Sequence, residues 1–114
     1  MDEISVGAST RVAELRNGKV TTYTIQPEDF DMIRHDIKEL VVDSAEQSLA
    51  MIKLVFEGHT GPARDIVLLN AGAAIYCAGL ADSHKTGIEK AREMIDSGAA
   101  MEKLNQLASI SNSF

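Results

Sequence analysis

Residues 61–80 read Gly61-Pro62-Ala63-Arg64-Asp65-Ile66-Val67-Leu68-Leu69-Asn70-Ala71-Gly72-Ala73-Ala74-Ile75-Tyr76-Cys77-Ala78-Gly79-Leu80 and contain the most apolar run of the 114-residue chain. Proline at the first helical position and Asp65 in the first turns mark a helix start, which predicts a helix over about 62–78. That helix is apolar nearly all round, the pattern of an element at the buried centre of an assembly. A membrane-spanning helix needs roughly 20 apolar residues. The run from Ile66 to Leu80 is shorter and Asn70 interrupts it, so a buried helix of a soluble domain is expected. Gly72 inside a helix costs about 1 kcal/mol relative to alanine. Its place among Ala71, Ala73 and Ala74 predicts a neighbouring backbone packed hard against it.

Working outward, the segments on both sides are also helical. Ser44-Ala45-Glu46-Gln47 has the form of a capping box, with the serine serving the N3 amide and Gln47 reaching back. Leu49, Ile52 and Phe56 then line one face, and Gly58 is a natural residue to follow the helix. Downstream, Ser83 caps a segment with Ile88, Ala91 and Ile95 inward and Glu89, Lys90, Arg92 and Glu93 outward. Ser97-Gly98 breaks it, and a last helix places Met101, Leu104 and Leu107 on one stripe before a polar tail that frays.

The first 25 residues have a different character. Thr10–Arg16 and Lys19–Ile25 are rich in valine and threonine and are joined by Asn17-Gly18, the strongest short hairpin signal. A two-residue loop sets the register: Arg16 opposite Lys19, Leu15 opposite Val20, Val12 opposite Tyr23, Thr10 opposite Ile25. Both faces are mixed, so the hairpin is expected at the periphery, with Ile4-Ser5-Val6 as a short strand before it. Between hairpin and helices, residues 27–42 begin with Pro27-Glu28-Asp29 and read equally as a short helix or as a turn followed by extended chain. The expected organisation is one partial domain over 1–114: a strand and hairpin over 1–25, a turn or short helix over 27–42, and four to five clustered helices over 44–111. The fold class is α/β, α+β when taken alone.

Composition narrows the partners. Apolar residues make 45% and charged residues 25% of the chain, the balance of a globular domain. A net charge of −6 supplies no basic field for nucleic acid or an anionic membrane, and five aromatic residues give no base-stacking platform. The single cysteine excludes an internal disulfide framework and suits a reducing, cytoplasmic setting. Met1-Asp2-Glu3 is acidic where a secretory leader is basic. His35, His59 and His84 lack zinc-ligand spacing, and Cys77, within the apolar helix, is expected to pack inertly.

Taken in order, these residues resemble a known family. Gly61 to Tyr76, followed by Ala91-Arg92-Glu93-Met94-Ile95-Asp96-Ser97-Gly98-Ala99-Ala100, resembles the C-terminal part of the anthranilate phosphoribosyltransferases. Asp2-Glu3-Ile4-Ser5, Thr10 to Leu15 and Pro27-Glu28-Asp29-Phe30 resemble the stretch just upstream in those enzymes. The match covers essentially the whole chain but only about the last third of the family's enzyme, the back of its larger α/β domain. Asp31 stands where the family commonly has glycine.

The resemblance implies transfer of phosphoribosyl from phosphoribosyl pyrophosphate to the amino group of anthranilate, a step of tryptophan biosynthesis, by a homodimeric enzyme. It also implies magnesium, with Asp2 and Glu3 as metal ligands. Read bare, that doublet is a charged segment in solvent. If extended, the two carboxylates point to opposite sides and reach different ions, or one binds directly and the other through water. Two parts of the family's machinery are absent. No two of the eight glycines lie closer than three positions, so there is no phosphate-cradling Gly-Thr-Gly-Gly-Asp loop. The Lys-His-Gly-Asn segment of the acceptor site is missing too, His84-Lys85 having the wrong order. No catalytic residue is therefore assigned, and the chain alone is expected to be inactive. Its apolar helix is expected to drive pairing with the missing N-terminal portion, or self-association. The competing expectation is a non-catalytic helical module that serves association only.

Overall fold

The computed structural model describes residues 2–113, which divide between Val41 and Val42 into two compact units. The N-terminal unit is built on an antiparallel pair, β1 (Thr10–Arg16) and β2 (Lys19–Ile25). Its register is the expected one from Thr10 opposite Ile25 to Arg16 opposite Lys19. The turn explains why: Asn17 and Gly18 have φ of 53° and 75°, the positive pair that a type I′ turn requires. The hairpin is peripheral, with Leu15, Val20 and Tyr23 exposed and Ile25 buried.

Residues 27–42 resolve into two 3₁₀ turns, Pro27–Phe30 and Ile37–Leu40. Asp31 ends the first with φ 60° and ψ 29°, a left-handed conformation that costs least for glycine and is tolerated by Asp. Arg34 closes the turn from outside. Its Nε and Nη2 donate to Glu28 at 3.0 and 3.2 Å, and Nη2 also donates to Gln26 at 3.2 Å. The guanidinium holds the exposed Glu28 carboxyl below the usual carboxylate range. A lowered folded-state pKa means stability that is complete above the ordinary value of 4.5 and fades as pH falls through the folded one. Urea midpoints of the parent and Glu28→Gln are expected to differ by a constant small amount at neutral pH and to converge below about pH 4.5.

The strand expected at Ile4–Val6 does not form. Ser5 Oγ takes the amide of Gly7 at 3.0 Å, and such local capture competes with a strand ladder. The chain bends over Val6–Ala8 instead. Val6 is still fully buried, and its carbonyl accepts from the His35 amide at 2.9 Å.

The C-terminal unit contains α1 (Ala45–Phe56), α2 (Pro62–Cys77), α3 (His84–Asp96) and α4 (Ala99–Ser111). Ser44 accepts from the Gln47 amide at 3.1 Å, whereas Gln47 Oε1 reaches one residue past the cap to the Asp43 amide at 2.9 Å. Gly58, at φ 95°, ends α1 with bonds from Gly58 N to Val55 O and from His59 N to Leu54 O, the six-to-one and five-to-two pair of a Schellman motif.

The α2–α3 crossing forms the heart of this unit. Leu68, Leu69 and Gly72 are buried against Gly87, Ile88, Ala91 and Ile95. The expectation that something crowds Gly72 holds: a Cβ there would lie 2.7 Å from Ile88 N and 2.9 Å from Ile88 Cα. The partner position is Gly87, where a Cβ would run into the carbonyl group of Gly72. Two glycines facing each other let the helices touch backbone to backbone. His84 Nε2 adds a 2.8 Å bond to Leu69 O, and Lys90 reaches Leu80 O beyond the end of α2.

Three expectations need correction here. The whole of Ile66–Leu80 is not buried: Ala74 and Cys77 to Leu80 are exposed. Cys77 consequently does not pack in the interior, because it closes α2 past its crossing with α3. On α1 the most covered residue is Val55, 2% exposed, with Met51 and Phe56 half-buried, while Leu49 and Ile52 are 43% and 37% exposed. Phe56, the third member of that stripe, is half-buried, so the stripe is covered only at its C-terminal end.

Candidate functional site

Asp2 and Glu3 are both exposed, Asp2 in irregular chain and Glu3 in a bend. The extended geometry that would send their carboxylates to opposite sides is therefore not realised as a strand. The doublet offers hard oxygen donors in solvent, the chemistry that magnesium takes as one or two carboxylates beside substrate phosphates. Among the described residues no third His, Cys, Asp or Glu joins them in a group able to hold a metal. A concavity of about 320 Å³ is lined by Arg11, Thr22, Tyr23 and Thr24 on the hairpin, and neither acid lines it.

The three histidines are dispersed. His35 lies 3.7 Å from Glu39, His59 lies 3.7 Å from Glu57, and His84 is tied to α2. Arg64 stands beside Asp65 in the first turn of α2. Its Nη2 reaches Asp96 at the end of α3, 3.0 Å from Oδ1 and 3.3 Å from Oδ2. Arg64 is 9% exposed and its Nη1 is buried without a hydrogen-bond partner. Removing Asp96 strands the buried guanidinium, whereas removing Arg64 leaves an aspartate side chain that is 53% exposed and already solvated. Asp96→Asn is expected to lower stability by about 1–2 kcal/mol, and Arg64→Met by less than about half of that. Chemical denaturation of the two variants checks the order, and a larger loss in Arg64→Met would contradict it.

Residues 1–101 match the family described as "Glycosyl transferase family, a/b domain". The chain belongs to that family. It is 62% identical over 113 residues to an anthranilate phosphoribosyltransferase from Thioalkalivibrio sulfidiphilus, covering 99% of this chain and 33% of that protein. In structure it is similar to the anthranilate phosphoribosyltransferase of Thermus thermophilus, with a TM-score of 0.79, 32% identity, and coverage of 93% of this chain and 31% of that one. The Saccharomyces cerevisiae anthranilate phosphoribosyltransferase in complex with PRPP and Mg matches with a TM-score of 0.80 at 26% identity, over 100% of this chain and 33% of that one. The chain spans about a third of the length of the curated relatives it matches. No helix among the described residues is long and apolar enough to cross a membrane.

Proposed function

We propose that this chain is the acid-doublet-bearing part of an anthranilate phosphoribosyltransferase, transferring phosphoribosyl from PRPP to the anthranilate amino group with release of pyrophosphate. The 62% identity across nearly the whole chain carries this reading. In the reaction the bond between the anomeric carbon and pyrophosphate breaks, leaving a cation-like ring while negative charge grows on the departing group. Magnesium, when bound, neutralises that charge. Asp2 and Glu3 are the residues that hold it, and their exposure leaves room for substrate phosphates and water to complete the shell. The glycine-rich donor loop and the acceptor segment come from elsewhere in the complete enzyme, so this chain alone does not turn over. The reading carries with it a homodimeric, cytoplasmic enzyme of tryptophan biosynthesis.

The exposed Leu49–Ile52 stripe on α1 favours a second role, association with further chain or with another copy. One experiment separates the two. The chain is mixed with the preceding two-thirds of the Thioalkalivibrio enzyme, and ribosyl transfer to anthranilate is followed. Magnesium-dependent transfer from the mixture, and from neither part alone, is the expected result. Tight pairing with no transfer leaves only the association module.

A further inference from the structure

We infer that the outer edge of β2 is a pairing surface for a second copy of this chain, joining two hairpins into one four-stranded antiparallel sheet. The inference is independent of the transferase reading. Among the described residues the sheet is β1–β2 alone, and two strands by themselves are marginal in water. The two-residue turn makes its flanking residues, Arg16 and Lys19, a hydrogen-bonded pair, and such pairs alternate along an antiparallel ladder. Thr21, Tyr23 and Ile25 therefore direct their backbone groups to β1, while Val20, Thr22 and Thr24 turn theirs outward. All three outward residues are exposed, and no hydrogen bond from the rest of the described chain takes up their backbone groups.

Proteins normally blunt an open edge with a charge, a proline or a bulge. β1 has such protection in Arg11, Glu14 and Arg16. From Val20 to Ile25, β2 has none: every side chain is uncharged and β-branched or aromatic, and the register with β1 runs one to one without a bulge. Charge and register together select the occupant. A neutral edge does not repel a copy of itself, and a two-fold axis at Thr22 sets Thr22 opposite Thr22 of the second copy and Val20 opposite its Thr24. Every outward backbone group from Val20 to Thr24 is then paired. Moving the axis to Thr21 would set Thr24 against Gly18 of the turn, and moving it to Tyr23 would set Val20 against Gln26 beyond the strand. On the other face the Thr22 register lays Tyr23, 39% exposed, beside Thr21 of the second copy, an aromatic and β-branched cross-strand pair. The outermost strands are then both β1, whose charges oppose further growth, so the contact closes as a dimer.

The test uses the 114-residue chain itself, followed by sedimentation over a concentration series and by amide hydrogen exchange. A monomer–dimer equilibrium is expected, with the mass rising from 12.3 kDa toward twice that value. When about nine-tenths of the chain is dimeric, exchange at Val20, Thr22 and Thr24 should slow about tenfold, because it proceeds through the remaining monomer. Thr21 and Tyr23, bonded to β1, should be protected at every concentration. Thr22→Lys sets two ammonium groups face to face and is expected to weaken the dimer about fivefold or more. Thr22→Glu does the same with carboxylates, and an equal mixture of the two variants pairs again. That rescue separates a lost contact from a lost hairpin. A chain that stays monomeric overturns the inference, as does a mixture that remains unpaired. A dimer that persists in Thr22→Lys and dissociates in Ile52→Lys on α1 overturns it too.

Discussion

Gly87→Ala is expected to destabilise the C-terminal unit by about 2–4 kcal/mol, with the urea midpoint followed through the far-ultraviolet helix signal. Helix propensity alone gives the opposite sign, because alanine in an exposed helix interior is about 1 kcal/mol better than glycine. The difference lies in what the new methyl meets. At Gly87 it runs into the Gly72 carbonyl group, with Gly72 C at 3.0 Å and Cα at 3.2 Å. These are backbone atoms in the middle of α2, and no rotamer change moves them. Relief requires α2 and α3 to separate, which loosens Leu68, Leu69, Ile88 and Ala91 together. Overpacking of this kind costs typically 1–3 kcal/mol and occasionally more, a large share of the roughly 5–15 kcal/mol available to a domain. Gly72→Ala should behave alike, since Ile88 N and Cα leave it no space either. A midpoint that stays or rises in Gly87→Ala would mean that the helices do not cross at these glycines.

The second large effect concerns the chemistry. In the enzyme reassembled from this chain and the remainder of a relative, Asp2→Asn is expected to lower ribosyl transfer by about 100-fold or more. A metal neutralising a leaving group contributes several kcal/mol to the transition state, and about 2.7 kcal/mol corresponds to 100-fold. Because the loss acts through the ion, raising the magnesium concentration should recover part of it. Glu3→Gln should also impair transfer, with a different magnesium dependence if one acid binds directly and the other through water. Retention of full activity by both variants at limiting magnesium would remove the doublet from the site.

Some of this structure was legible in advance because local rules decide it. The hairpin register follows from Asn17-Gly18, whose two positive φ values admit essentially one turn. The crowding at Gly72 was legible as a glycine tolerated in a helix at a cost, but its counterpart Gly87 lies on another helix and carries no signal of its own. The Arg64–Asp96 pair spans 32 residues, beyond the reach of any local pattern. On α1, spacing selected Leu49, Ile52 and Phe56 because it detects an apolar stripe, not what covers it. In this chain Val55 is buried and Met51 and Phe56 are half-buried, while Leu49 and Ile52 are exposed. At Ile4–Val6 the residue types favour a strand, yet one serine hydroxyl redirects the backbone. The acid doublet was legible as chemistry only through its resemblance to a family, since two exposed carboxylates by themselves are ordinary.

The central claim is tested most directly by locating Mn²⁺, in place of magnesium, by anomalous diffraction from the reassembled enzyme with PRPP bound. The account predicts a peak within about 2.3 Å of a carboxylate oxygen of Asp2 or Glu3, with PRPP oxygens completing its shell. Manganese bound between PRPP and other residues, with both acids beyond reach even through a bridging water, would contradict it.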